Sequence, residues 1–176
     1  MILETERLLL RDLHMDDKDA IFGYRADAET NKFQSWIPKT LDEVEAFITR
    51  NFKEFNQPET WYQLLITDKE TKEIIGDTGV HFIDSDQVEF GITLSKKHHH
   101  KGYASEALKS LMDLMFKDLH KHRITTSIDP DNTSSLQLMD RIGFRKEGHF
   151  IKSLYINGVW VDDVIYAILA EEWMNR

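Results

Sequence analysis

A run of basic and small residues, SKKHHHKGYASEAL (95–108), holds the first side chains whose types and spacing could do chemistry. Gly102 lets a backbone approach a ligand closely, and Ala104 adds little bulk two residues on. Lys96, Lys97 and Lys101 supply local positive charge. If a helix opens near Tyr103, its first N–H groups are unpaired and its end is partly positive, which suits a diphosphate. A basic surface loop entering any helix shares these features, so the loop alone leaves both readings open. His98, His99 and His100 invite a metal, but three adjacent side chains converge poorly on one ion. We expect no metal there. The chain has no cysteine, so disulfides, thiolate catalysis and Cys-based zinc sites are excluded.

The elements that must position this loop follow from hydrophobic periodicity, which is mixed α and β. Leu8–Leu13 is expected as a first strand, and Asp16 and Asp17 open a helix running to about Ala26. Thr40 caps a second helix, with Glu43 at the capping-box position and Val44, Phe47, Ile48 and Phe52 on one face. Strands are expected at 61–67, 74–83 and 88–94, joined by turns at 68–72 and 84–87 into an antiparallel meander. A helix from Tyr103 to about Asp118 carries Leu108, Leu111, Met112, Met115 and Phe116 at helical spacing, the methionines as core filler. Then come a strand at 123–128, a helix at 133–142 and a strand from Phe144. Asn157-Gly158 signals a hairpin into a last strand at 160–169. The strands at 88–94 and 123–128, linked through a helix, must run parallel. A ligand is expected at their C-terminal edge, beside the helix N-terminus.

Two long segments, VEFGITLSKKHHHKGYASEALKSLMDLMF and HRITTSIDPDNTSSLQLMDRIGFRKEG, resemble the signature half of the GNAT acetyltransferases. The closer likeness is to the RimJ/RimL-like branch, which TERLLLRD and IIGDTGV near the N-terminus also resemble. The resemblance covers nearly the whole chain. It implies an α/β GNAT fold, a central mixed, mostly antiparallel sheet with a parallel, splayed strand pair and flanking helices. It implies acetyl-CoA as the donor and an amine as the acceptor.

The resemblance also implies residue roles. The strand through Ile92 and Leu94 binds the pantetheine arm by its backbone. The loop formed by Lys97, His99, His100, Lys101, Gly102, Ala104 and Ser105 wraps the pyrophosphate. Asn132 contacts the cofactor near its thioester, Ser135 protonates the departing thiolate, and Glu89 receives the amine proton. Such roles make chemical sense, since an amine must be neutral to attack and a thiolate needs only modest help to leave.

Three positions depart from the family pattern. His99 stands where Gln or Arg is usual, and His100 where glycine is common, so the backbone at His100 is open to question. Met139 replaces a Tyr that often serves as the acid, which shifts that role to Ser135 or solvent. Glu89 has a plain alternative as a solvated strand residue, with His81 or Tyr155 as other bases. Phe33, Trp36 and Trp61 could line an acceptor site, but we place them in the core.

Composition bounds the rest. With 176 residues the chain is expected to form one domain, 1–176, and 31 acidic against 22 basic side chains give a net charge of −9. That balance repels a phosphate backbone, so no nucleic-acid partner is expected, and a cationic substrate is compatible with it. The charged N-terminus is not expected to be a signal peptide, and no apolar run suggests a membrane partner, so a cytoplasmic location is expected. The expected activity is acetyl transfer to a peptide or protein N-terminal α-amino group. A small amine such as a polyamine or aminoglycoside is the alternative, a non-catalytic acyl-CoA-binding module the rival, and a homodimer the open oligomeric option.

Overall fold

The computed structural model describes residues 2–51 and 54–176. Its frame is one eight-stranded sheet in the order β1-β2-β3-β4-β5-β6-β8-β7. The strands are β1 (Ile2–Glu4), β2 (Leu8–Asp12), β3 (Thr60–Asp68), β4 (Ile74–Phe82), β5 (Gln87–Leu94), β6 (Arg123–Ile128), β7 (Arg145–Ile156) and β8 (Val159–Leu169). The helices are α1 (Lys18–Arg25), α2 (Leu41–Arg50), α3 (Tyr103–Asp113), α4 (Thr133–Ile142) and α5 (Ala170–Met174).

Alternation places the two faces. Leu8 and Leu10 of β2, Leu64 and Ile66 of β3, and Val88 and Phe90 of β5 point to one side. There they meet Leu108, Leu111 and Met112 of α3, Met115 just beyond it, and Leu138 and Ile142 of α4 in the larger core. Leu65 points the other way, into a second cluster with Ile21 and Tyr24 of α1 and Val44 and Ile48 of α2. Burying apolar side chains on both faces is what a sheet between two helical layers requires. Met112 of α3 and Met115 in the turn that continues it are fully buried, as core filler should be.

All strand pairs are antiparallel except β5 and β6, which run parallel as expected. Their pairing lasts only three residues and ends at Glu89 and Thr125. Beyond that point β5 keeps its β4 partner as far as Leu94 and β6 keeps its β8 partner as far as Ile128, but the two no longer pair with each other, so they splay. The β7–β8 hairpin turns on Asn157 (φ 51°) and Gly158 (φ 86°), two positive values that a two-residue turn of this hand demands.

Thr40 caps α2 by accepting the Glu43 N–H at 3.3 Å, but the return bond of the box is displaced. The Glu43 carboxylate accepts from Lys39 N–H, one residue before the cap. Phe52 lies outside the described residues. The helix at α3 continues as a π turn over Leu114–Asp118, with Leu119 N–H donating five residues back to Leu114. β1 and α5 were not expected from the sequence. Among the described residues no helix is long and apolar enough to cross a membrane.

Candidate active site

The loop between β5 and α3 is built by backbone geometry. A 3-10 turn over Lys96–His98 follows Ser95, then His100 takes φ 61° and Gly102 φ 81° before α3 begins. The first intrahelical bond runs from Glu106 N–H to the Gly102 carbonyl. The N–H groups of Tyr103, Ala104 and Ser105 therefore have no helical partner. A Cβ on Gly102 would come no closer than 3.4 Å to Arg7, so glycine is required there by its positive φ rather than by space. His100, with its Cβ, carries that strain without relief, which answers the question its position raises.

The three histidines diverge. His98 is buried and lies 3.5 Å from Glu73, and burial pushes its pKa down. His99 donates from Nε2 to the Leu94 carbonyl at 2.9 Å and so ties the loop to the end of β5. His100 faces a cavity.

The TERLLLRD segment clamps the start of α3. Glu106 accepts from Thr5 Oγ1 at 2.5 Å, from the Arg7 N–H at 2.8 Å and from Arg7 Nε at 2.7 Å. Arg7 Nη1 also donates to the Lys101 carbonyl at 3.0 Å, and its guanidinium covers the Tyr103 ring at 4.5 Å. Burial would raise the Glu106 carboxyl, but these donors outweigh it and hold the group below its ordinary range.

Three cavities adjoin. One of about 410 Å³ runs along the loop and is lined by Ile92, Leu94, His99, His100, Gly102, Ala104, Ser105 and Asn132. A small one of about 100 Å³ lies in the splay between β5 and β6, where Ser135 and Met139 look in. A third of about 750 Å³ opens on the opposite side, with Glu89, Gly91, Asp77 and Ser127 in its lining. Phe33, Gln34 and Ile92 border all three, so the cavities adjoin one another around the splay.

Ser135 therefore sits between the loop cavity and the splay, and Glu89 sits at the point where the splay begins. Burial pushes the Glu89 carboxyl above its ordinary value; His81 opposes the shift and Asp163 adds to it. Asn132 lines the loop cavity while its Oδ1 accepts from Ser135 N–H at 3.2 Å, capping α4. Two expected residues do not line the cavity. Lys97 is ion-paired with Glu73, and the exposed Lys101 contributes its carbonyl to the Arg7 clamp.

The aromatic assignment needs correcting. Phe33 and Trp61 line the 750 Å³ cavity instead of the core, and Trp61 is 45% exposed; Trp36 lines the cavity while also packing against the second core cluster. For Phe33 and Trp36 the cause is the loop between α1 and α2, which borders the cavity and has no periodicity to reveal it, while Trp61 lies near the start of β3 on the face of the sheet that lines the cavity. That loop also brings Gln34, missed in the sequence, whose Nε2 approaches the Ile92 carbonyl to 3.5 Å. Asp77 was missed as well, although an acid inside the apolar strand IIGDTGV was a usable signal. Only 1% exposed, it accepts from Arg25 Nε at 2.8 Å and Tyr24 Oη at 2.5 Å under the cavity floor. Tyr155 lies exposed on the hairpin against Trp160, outside the cavity lining.

Comparison with known proteins fits this arrangement. Residues 7–145 match the model of the acetyltransferase (GNAT) domain. The chain is 32% identical over 177 residues to the uncharacterised N-acetyltransferase YnaD of Bacillus subtilis (strain 168), covering 98% of this chain and 99% of that protein. It is 28% identical to the [ribosomal protein uS5]-alanine N-acetyltransferase of Escherichia coli (strain K12), covering 97% and 92% of the two chains. Among solved structures, a GNAT-family acetyltransferase from Bacillus anthracis superposes with a TM-score of 0.88 at 29% identity, over 97% of this chain and 99% of that one.

Proposed function

The chain belongs to the GNAT family of N-acetyltransferases, and from that premise we propose that it passes the acetyl group of acetyl-CoA directly to the N-terminal α-amino group of a peptide or protein. The observation that carries this reading is that the cavities adjoin at the splay. A cavity at a helix N-terminus and a second, larger cavity meet at the splay, so donor and acceptor can enter from opposite sides.

The loop residues fit acetyl-CoA. Unpaired N–H groups at Tyr103, Ala104 and Ser105, with Gly102 at a φ other residues resist, form a cradle for a pyrophosphate. The β6-facing edge of β5 beyond Glu89 has no strand partner, which leaves its backbone available to an extended pantetheine arm. When bound, acetyl-CoA supplies an activated thioester. Glu89 then accepts the proton of the incoming ammonium, a task for which its raised pKa brings it nearer neutrality. The Ser135 hydroxyl, at the junction of loop cavity and splay, donates a proton to the thiolate that leaves. With no cysteine and no nucleophile–base motif in the sequence, the reading is direct transfer without an acyl-enzyme.

A peptide suits the acceptor cavity better than a polycation. Besides the Arg25–Asp77 pair, its lining sets Glu89, Asp129 and Asp162 against Lys32 and Arg50. The resemblance to an enzyme named as a [ribosomal protein uS5]-alanine N-acetyltransferase supports a protein acceptor. A panel tests it. Purified protein with acetyl-CoA should acetylate a peptide with a free N-terminal alanine and spare the same peptide with a blocked terminus, read by mass spectrometry. Preference for spermidine or an aminoglycoside would overturn the peptide reading, and silence toward every amine would favour a binding module.

A further inference from the structure

Glu89 does not stand alone at the mouth of the splay. In the cross-strand register Trp61 of β3 faces His81 of β4, His81 faces Glu89 of β5, and Glu89 faces Thr125 of β6. Directly opposed residues share one face of a sheet, so these four form a row. The His81 ring stacks on Trp61 with centroids 4.7 Å apart and planes within 7°, which fixes the imidazole plane. Its Nδ1 lies 3.6 Å from Glu89 Oε2, is sealed from solvent and has no hydrogen-bond partner. Thr125 gives Glu89 no competing support, because its hydroxyl points at the Val88 carbonyl.

We propose that His81 is the positioning residue for the base: its Nδ1–H, aimed by the Trp61 stack, holds the Glu89 carboxylate ionised and turned toward the acceptor cavity. This rests on the reading of Glu89 as the proton acceptor. An ionised carboxylate only accepts hydrogen bonds, so the nitrogen beside it must carry the proton. A small rotation of Glu89 converts the 3.6 Å contact into a hydrogen bond, and catalytic contacts of this kind commonly tighten with substrate present. The proton taken from the amine goes to the Glu89 carboxylate, and His81 keeps its own.

The other charges around Glu89 do not offer the same support. Asp163 of β8, which accepts from Ser127 Oγ at 2.7 Å, repels the carboxylate. Arg25 is engaged by Asp77, while Lys32, Arg50, Asp129 and Asp162 belong to the cavity lining and make no ion pair with Glu89 among the described residues.

The test is the pH profile of kcat/KM for the amine. His81→Phe keeps an aromatic ring against Trp61 and removes the donor. The acid limb of its profile should move up by about one pH unit, with KM for acetyl-CoA unchanged. His81→Asn, which returns a donor near the Nδ1 position, should recover at least half of that shift. Should His81→Phe fold poorly by thermal melting, His81→Leu gives the same readout. A uniform loss of rate with the limb in place would overturn the positioning role. Glu89→Gln separates the two readings, because it should abolish the limb and make His81→Phe silent in that background. If Glu89→Gln keeps both rate and limb, the base itself is misassigned, whatever His81 does.

Discussion

His100 holds a φ of 61° two residues ahead of Gly102 at 81°, so the loop before α3 turns through one strained position and one relaxed one. A left-handed conformation costs a residue with a Cβ about 1–2 kcal/mol, while glycine in its place adds roughly 0.5–1 kcal/mol of unfolded-chain entropy. The difference favours glycine. His100→Gly is expected to raise the melting temperature by about 2–4 °C, the equivalent of ~1 kcal/mol in a chain of this size. Calorimetry checks it, and a lower melting temperature would mean the imidazole makes a stabilising contact. The residue types at 99–102 disclosed this loop, and the glycine common at position 100 in the family pointed to the strain. The bond from His99 to the Leu94 carbonyl was not legible, because it depends on where β5 ends relative to the 3-10 turn.

Punctuation decides which elements sequence reveals. β6 and α4 match their expected bounds because Asp129-Pro130 stops one, Asn132 caps the other, and Gly143 (φ 95°) ends it. β1 has three residues and needs β2 beside it to exist at all, so its own pattern carries no signal. The rim between α1 and α2 is irregular backbone, and aromatic residues there look the same in sequence whether they face a core or a cavity. The clamp on α3 is different, because TERLLLRD was visible as a motif but its target, Glu106, was not. Glu106 is held below its ordinary value of 4.5 when folded, so its stabilisation is complete above that pH and disappears as pH falls through the folded value. Glu106→Gln should therefore cost about 1 kcal/mol at pH 7, with the gap to the parent closing below roughly pH 4. Denaturant melts at a series of pH values measure this, and a gap that stays constant down to pH 3 would assign the clamp to shape instead of charge.

At the scale of the whole molecule, the sheet works as a wall with one slit. Among the described residues only β5 and β6 run parallel, and the small cavity in the gap they leave adjoins the two larger ones. In the proposed reading a donor held on one side and an acceptor on the other meet without an intermediate stop. The net charge of −9 raises the local concentration of a cationic amine, and that attraction should weaken as salt increases. Direct transfer through the slit has a kinetic signature. Initial rates of thiol release from acetyl-CoA, measured over a grid of acetyl-CoA and peptide-amine concentrations, test it most directly. Double-reciprocal lines that intersect, with no burst of thiol when the amine is left out, are the predicted result. Parallel lines with a stoichiometric burst in the absence of amine would contradict it.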